Sequence, residues 1–210
     1  MNTDPSTSAE IESLVLSVRL GDHDALESML ASHRAYLRQV IGLRMDDALR
    51  VRVDPSDIVQ EAQLEAVRRV SDYVQDPKLP VRLWLRRIAV DRLAMARRKH
   101  LDAEMRSVHR QFALPEQSSL SIAAQLVAGI SSPSMQAARG EVAGKVRDAV
   151  ARLDEHDQEI ILLQAFEGLT STESAQVLGI EPATARKRFG RALLRLRTLL
   201  VEGGLGGSET

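Results

Sequence analysis

Apolar residues recur along this chain at spacings of three and four, the pattern of one buried helix face, and no segment shows the strict alternation of a half-buried strand. Thr7 and Glu10 form a capping-box pair ahead of Ile11, Leu14, Val15 and Val18, which predicts a first amphipathic helix up to Gly21. Asp22 is placed to cap a second, carried by Leu26, Met29, Leu30, Leu37, Val40 and Ile41 to about Arg44, and a short helical segment follows around Asp47 to Val51. Asp54 as N-cap with Pro55 in the first helical position starts the next helix. It is predicted to run to about Val70, with Ile58, Ala62, Val67 and Val70 toward the core. Ser71 to Pro80 has two prolines, two aspartates and no period, and reads as a loop. Helical pattern resumes at Val81 and runs to His100 with Leu85, Ile88, Ala89 and Leu93 as its core side.

Leu114 to Ser134 clusters Ser, Gln and Pro with Glu116 as its single charge, which marks a linker; within it Ile122 to Ala128 has the apolar content for a turn or two of helix that docks on a partner. The helical pattern returns near Ser134 through Val142, Val146, Val150 and Leu153. Asp154 caps a further helix containing Ile160, Ile161, Leu163 and Phe166 that ends at Gly168. From Leu169 the pattern changes character. Thr170 and Glu173 form a second capping box, Ala175, Val177 and Leu178 lead to Gly179, and Pro182 opens another helix after a tight turn. This is a helix-turn-helix without a wing. In its second helix Phe189, Leu193, Leu196 and Leu200 form the expected buried stripe. Thr184, Arg186, Lys187, Arg188 and Arg191 lie toward its start, where such helices meet base edges and phosphates.

Charge sharpens this picture. Over 210 residues the net charge is −1, which argues against indiscriminate coating of nucleic acid, but the distribution is uneven. Met1 to Glu65 holds twelve acids and six bases, Arg82 to Lys99 seven bases against Asp91 alone, and Pro182 to Leu200 six cations and no anion. An Arg-rich helix is by default a solvated charged face; here a capping box, a turn glycine, a proline and one-sided charge coincide. Trp84 is in the first place a core anchor, although a tryptophan beside arginines at a loop–helix junction also suits unpaired bases.

Composition removes other classes of function. Without cysteine there are no disulfides, thiolate metal sites or cysteine nucleophiles. His23, His33, His100, His109 and His156 show no metal-ligand spacing, and no Walker loop or nucleophile elbow is present. The C-terminal GGLGGSET lacks the strand and helix of a phosphate loop and reads as frayed chain. No catalytic residue, metal or cofactor is assigned. With no signal pattern and no long apolar run, a cytoplasmic protein away from the membrane is expected. Three readings remain: a polymerase-dependent promoter factor, a regulator that binds duplex DNA alone, and a helical adaptor whose basic helix faces solvent.

The order of these elements resembles an extracytoplasmic-function (ECF) sigma factor of the sigma-70 superfamily. Asp54 to Val67 is similar to region 2.2, Val81 to Lys99 to joined regions 2.3 and 2.4, and Leu153 to Arg197 to region 4. The wording of DPSDIVQE and ATARKRFGRALLRLR is similar to a subgroup abundant in planctomycete-type genomes. The resemblance implies an all-α chain of two helical domains joined by a flexible linker: a region 2-like domain over 1–112, a linker over 113–134, a region 4-like helix-turn-helix domain over 135–202, and a disordered tail over 203–210. It implies no catalysis. The partners implied are core RNA polymerase, through its clamp helices and flap, and promoter DNA; whether an anti-sigma factor controls the protein stays open. By the same resemblance, Asp57, Ile58, Gln60 and Glu61 match the polymerase-binding face. Arg82, Trp84, Arg86, Arg87 and Arg92 match the helix meeting the minus-ten element, and Ser71 to Pro80 the loop that captures a flipped base. Thr184, Arg186, Lys187, Arg188 and Arg191 match the reader of the minus-thirty-five element. The chain departs from the family pattern at Asp91, where Asn is common, at Met95, where Asp is common, and in a linker less acidic than usual.

Overall fold

The structure, a computed structural model, describes residues 15–45, 47–101 and 139–205, and the chain divides into two compact units, Met1–Arg106 and Ser107–Thr210. Among the described residues every regular element is helical. The Thr7/Glu10 capping box, the 113–134 linker with its Ile122 to Ala128 stretch, and residues 206–210 lie outside the described residues.

The first unit comprises α1 (15–19), α2 (His23–Arg44), α3 (Asp47–Arg50), α4 (Pro55–Gln75) and α5 (Val81–Leu101). The caps form as the local chemistry requires. Asp22 accepts from the amides of Asp24 and Ala25, both at 3.1 Å, and Asp54 accepts from the Ser56 amide at 2.7 Å. α4 packs against α5 and α2 around a shared core that includes Leu37, Ile41, Ile58, Ala66, Leu85 and Ala89. Helix C-termini leave carbonyls without partners, and three arginines supply donors. Arg50 donates to the carbonyls of Gly42 and Met45, Arg97 to that of Arg44 at 2.9 Å, and Arg52 to that of His100 at 2.7 Å.

Two expectations for α4 are corrected. The helix continues to Gln75, so the loop is confined to Asp76–Pro80. The cause is tertiary: the Tyr73 ring stacks on Trp84 with centroids 4.3 Å apart, and its hydroxyl donates to the Leu79 carbonyl at 2.8 Å. That anchors a last turn which composition alone assigns to a loop. Val67, expected in the core, is 45% exposed, whereas Val59 and Ala66 are buried.

The second unit comprises α6 (Arg139–Ala151), α7 (Glu155–Ile161) running into a π turn at Leu162–Phe166, α8 (Ser171–Leu178), and α9 (Pro182–Leu200) running into a π turn at Val201–Leu205. Asp154 caps α7 by accepting from His156 and Asp157 amides at 3.1 and 3.0 Å, and Gln158 donates back to the carbonyls of Ala151 and Leu153. The chain leaves the π turn through Gly168 at φ +70°. In α8 the reciprocal cap is complete: the Glu173 amide donates to Thr170 Oγ1 at 3.2 Å and the Thr170 amide to Glu173 Oε2 at 2.8 Å. Gly179, at φ +64°, makes the left-handed stop that only glycine adopts without strain.

α9 packs on α7 and α8. Its fully buried stripe is Ala185, Ala192, Leu196 and Leu200, whereas Phe189 and Leu193, expected in that stripe, are half-buried at its edge. The close approach of α7 and α8 takes small side chains at the centre, which displaces the larger ones sideways. An ion pair pins the second half of α9 to the start of α7: Arg195 binds Asp154 at 3.1 Å and also the buried Asp157. The hydrogen bond it donates to Asp157 and the charges of Asp157 and Asp154 hold the Arg195 guanidinium above its ordinary pKa despite the opposing effect of desolvation. Of the expected tail, 203–205 belong to the terminal π turn, which Gly204 leaves at φ +79°.

Candidate nucleic-acid interface

α9 presents its cations away from the core. With about 100° between successive residues, Lys187 points opposite the Ala185–Ala192–Leu196 stripe, Thr184 and Arg191 lie about 60° and about 40° to one side of Lys187, and Arg186 and Arg188 occupy opposite shoulders. Thr184, Arg186, Lys187 and Arg191 are exposed, and Arg188 is half-buried. The turn at Gly179 and the short, double-capped α8 set the angle at which this surface emerges. Glu181 occupies the N-cap of α9 and is also exposed, an acid at the tip of a basic helix that the sequence pattern alone did not single out.

On α5 the residues expected to meet DNA are separated by the fold. Arg87 is exposed. Arg86 is 5% exposed and engaged within the unit, so the expectation that it faces a nucleic acid is corrected. Arg82 lies with its guanidinium 4.2 Å above the Tyr36 ring, a cation–π contact that holds it against α2. Trp84 is half-buried on Tyr73, and burial raises the Tyr73 hydroxyl pKa, the charge of Arg19 acting weakly in the opposite sense. Arg92 is bound at 2.6 Å by Glu65 of α4, which also takes Arg69 at 2.6 Å and Arg68 at 3.4 Å. Burial of Glu65 opposes its ionisation, but the hydrogen bond and charge of Arg69, the charge of Arg92 and the hydrogen bond from Arg68 outweigh it and keep the carboxyl below the usual range.

The open stripe of α5 is Arg87, Asp91, Ala94 and Arg98, at spacings of four, three and four. Arg98 was not among the expected site residues, although its spacing from Arg87 signals the shared face. Asp91, Met95 and Arg98 border a concavity of about 210 Å³ with Glu65, Arg69 and Arg92.

The third candidate surface is on α4. Asp57, Gln60 and Glu61 are exposed together, whereas Ile58 is 1% exposed and belongs to the core, which corrects its expected place on a partner-binding face. Leu64 and Val67, 56% and 45% exposed, continue the same face. Val67 was missed because helical periodicity assigned it to the interior, and Leu64 was given no place in the sequence pattern. Among the described residues no cluster of three or more His, Asp or Glu is arranged to hold a metal ion, and no helix is long and apolar enough to cross a membrane.

Comparison with known proteins bears on what this arrangement serves. Residues 143–196, from α6 to near the end of α9, match the family model described as Sigma-70, region 4. The RNA polymerase sigma factor CnrH of Cupriavidus metallidurans is 33% identical over 148 residues, covering 70% of this chain and 73% of that protein. The chain belongs to the ECF sigma-70 family of RNA polymerase sigma factors. The sigma factor NccH of Alcaligenes xylosoxydans xylosoxydans is 29% identical over 201 residues, 94% of this chain and 97% of that protein. The solved structure of CnrH in complex with the cytosolic domain of CnrY superposes with a TM-score of 0.57 at 22% identity, covering 92% of this chain and 98% of that one, so the two share a fold. As a sigma factor this chain is a DNA-binding regulatory protein of transcription, and its α8–α9 pair lies within the matched region 4.

Proposed function

We propose that this sigma factor binds core RNA polymerase, aligns its two units on a promoter, and stabilises the opened strands at a specific regulon. One observation carries the reading: the helix-turn-helix turns a face of Thr184, Lys187 and Arg191, flanked by Arg186 and Arg188, away from the core. In this reading that face meets the minus-thirty-five element. In the first unit, Arg87 and Arg98 lead the contact with the minus-ten element. Arg82, Trp84 and Arg92 support it from positions fixed by Tyr36, Tyr73 and Glu65, and the segment ending at Pro80 receives the unstacked base. Asp57, Gln60 and Glu61, extended by exposed Leu64 and Val67, form the face for the polymerase clamp helices: the acids meet basic residues and the apolar pair is covered on docking. The flap is the partner of the second unit. The protein acts in the cytoplasm, an anti-sigma factor is the class of partner that would control it, and the wording of its two motifs assigns it to the planctomycete-like subgroup.

The test is fluorescence anisotropy of labelled promoter and randomised DNA, with and without bacterial core polymerase, over a salt series. Specific binding that requires core is expected, with affinity falling steeply as salt rises because phosphate contacts release counterions. Replacing Arg186, Lys187 and Arg188 by Ala should weaken promoter binding and spare core binding; replacing Gln60 and Glu61 should do the reverse. Tight sequence-specific binding without core would instead make the protein a conventional regulator.

A further inference from the structure

We infer that Glu65 is a positioning residue for the DNA-facing side of α5: by holding Arg92 it keeps that cation from passing phosphates, and so sets how sharply the protein separates its promoter from random DNA. The inference rests on the reading, given above, that α5 meets DNA. Three observations carry it.

The Glu65 carboxylate is fully engaged. Its Oε1 accepts from Arg69 at 2.6 Å, and its Oε2 is shared by Arg92 at 2.6 Å and Arg68 at 3.4 Å. Arg68 and Arg69, on the same helix, have side chains 74% and 52% exposed and already reach solvent, whereas that of Arg92 is 22% exposed. Arg92 is therefore the cation whose place Glu65 decides. It lines the concavity beside the open stripe of α5, together with Arg69 and Arg98. Without a carboxylate there, like charges would drive the Arg92 guanidinium outward. Packing does not account for the acid: α4 and α5 are already joined by an apolar core that includes Ile58, Ala62, Ile88 and Ala89, and sheltered ion pairs add little to stability over apolar contacts.

DNA electrostatics supplies the account. Phosphate contacts strengthen binding to every sequence alike, whereas base contacts separate one sequence from another. A loose arginine on the DNA side of α5 would add affinity for all DNA and reduce that contrast. An arginine held by a carboxylate is presented at one place, and the acid cancels its charge at longer range.

The experiment measures binding of the full chain with bacterial core polymerase to promoter DNA and to random duplex of equal length over a salt series, for the wild type, E65Q, R92A and the double variant. E65Q should bind random duplex about eightfold more tightly than the wild type at ~0.1 M salt, the counterion release of one added phosphate contact at a slope of about 0.9. Promoter binding should gain nothing, because the freed Arg92 leaves its fixed place, so the contrast between the two DNAs falls by the same factor. Relative to R92A, the double variant should show no such gain. If E65Q leaves random-duplex binding and its salt slope unchanged, with or without a lower melting temperature, the carboxylate is at most a tie between helices and the inference is overturned. An equal gain from E65Q with and without Arg92 overturns it too, since net charge alone then explains the effect. Arg87→Ala in the same assay separates the two levels: if it leaves the salt slope of promoter binding unchanged, the reading that α5 meets DNA fails, whatever E65Q does.

Discussion

Leu194 and Leu196 lie two residues apart on the recognition helix, and truncating each to Ala should have opposite consequences. Leu196 is 0% exposed where α9 packs on α7 and α8, whereas Leu194 is 65% exposed on the outer side. Leu196→Ala removes three carbons from a fully buried site; at about 0.8 kcal/mol per buried methylene the transfer loss is about 2.4 kcal/mol. The cavity left behind adds to this, because helices already in contact relax only partly, and brings the total to about 3–4 kcal/mol. For a unit of this size that corresponds to a fall in Tm on the order of 15 °C. Leu194→Ala should change stability by less than about 0.5 kcal/mol. Urea and thermal unfolding followed by circular dichroism measure both. Below its lowered Tm, Leu196→Ala should still bind promoter DNA with core polymerase, because Lys187 and Arg191 lie on the opposite side of α9. Equal destabilisation by the two substitutions would refute the packing of α9 described above, and with it the assignment of its outward face.

Thr170→Ala should cost about 1 kcal/mol, because it removes the acceptor for the Glu173 amide and one half of the reciprocal cap on α8; the change is read as a lower urea midpoint with an unchanged slope. Arg87→Ala should lower the salt dependence of holoenzyme binding by about one unit of log–log slope with unchanged stability. Arg86→Ala should lower stability by about 1–3 kcal/mol through the loss of a buried side chain engaged within the unit, seen in thermal unfolding before any effect on DNA. His33 should make the first unit acid-sensitive. Burial lowers its pKa from 6.5, the bond to the Met29 carbonyl works against that shift, and the charge of Arg82 reinforces it. As pH falls below about 6.5 the unfolded chain therefore binds a proton that the folded chain resists, and stability declines down to the lowered folded value. A melting series between about pH 7.5 and about pH 5 should show this slope reduced in His33→Gln, and an unchanged slope would remove His33 as its source.

The elements of this protein were legible wherever a signal is local. Asp22, Asp54, Asp154 and the Thr170–Glu173 pair cap helices through bonds to residues two or three positions away, and Gly179 and Pro182 act on their own backbone dihedrals. Such interactions are complete within one turn of chain, so the sequence suffices to place them. The outward basic face of α9 was legible for a related reason, since six cations without an anion leave a single side that can be buried.

What the sequence left undecided is which part of each polar or apolar face meets a neighbour. Arg86 and Arg87 are adjacent and chemically identical, yet packing within the unit buries the first and leaves the second to solvent. Val67 has the composition of a core residue and lies outside because α2 and α5 approach α4 from other directions. The last turn of α4 exists because Tyr73 meets Trp84 across the loop, and Arg92 is held because Glu65 of another helix stands opposite it. By itself the sequence determined where helices begin and end and where charge collects, because those depend on bonds within a few residues. The tertiary structure alone decided which arginines remain free to meet DNA and which apolar residues stay open to a partner, because burial is set by helices distant in the chain.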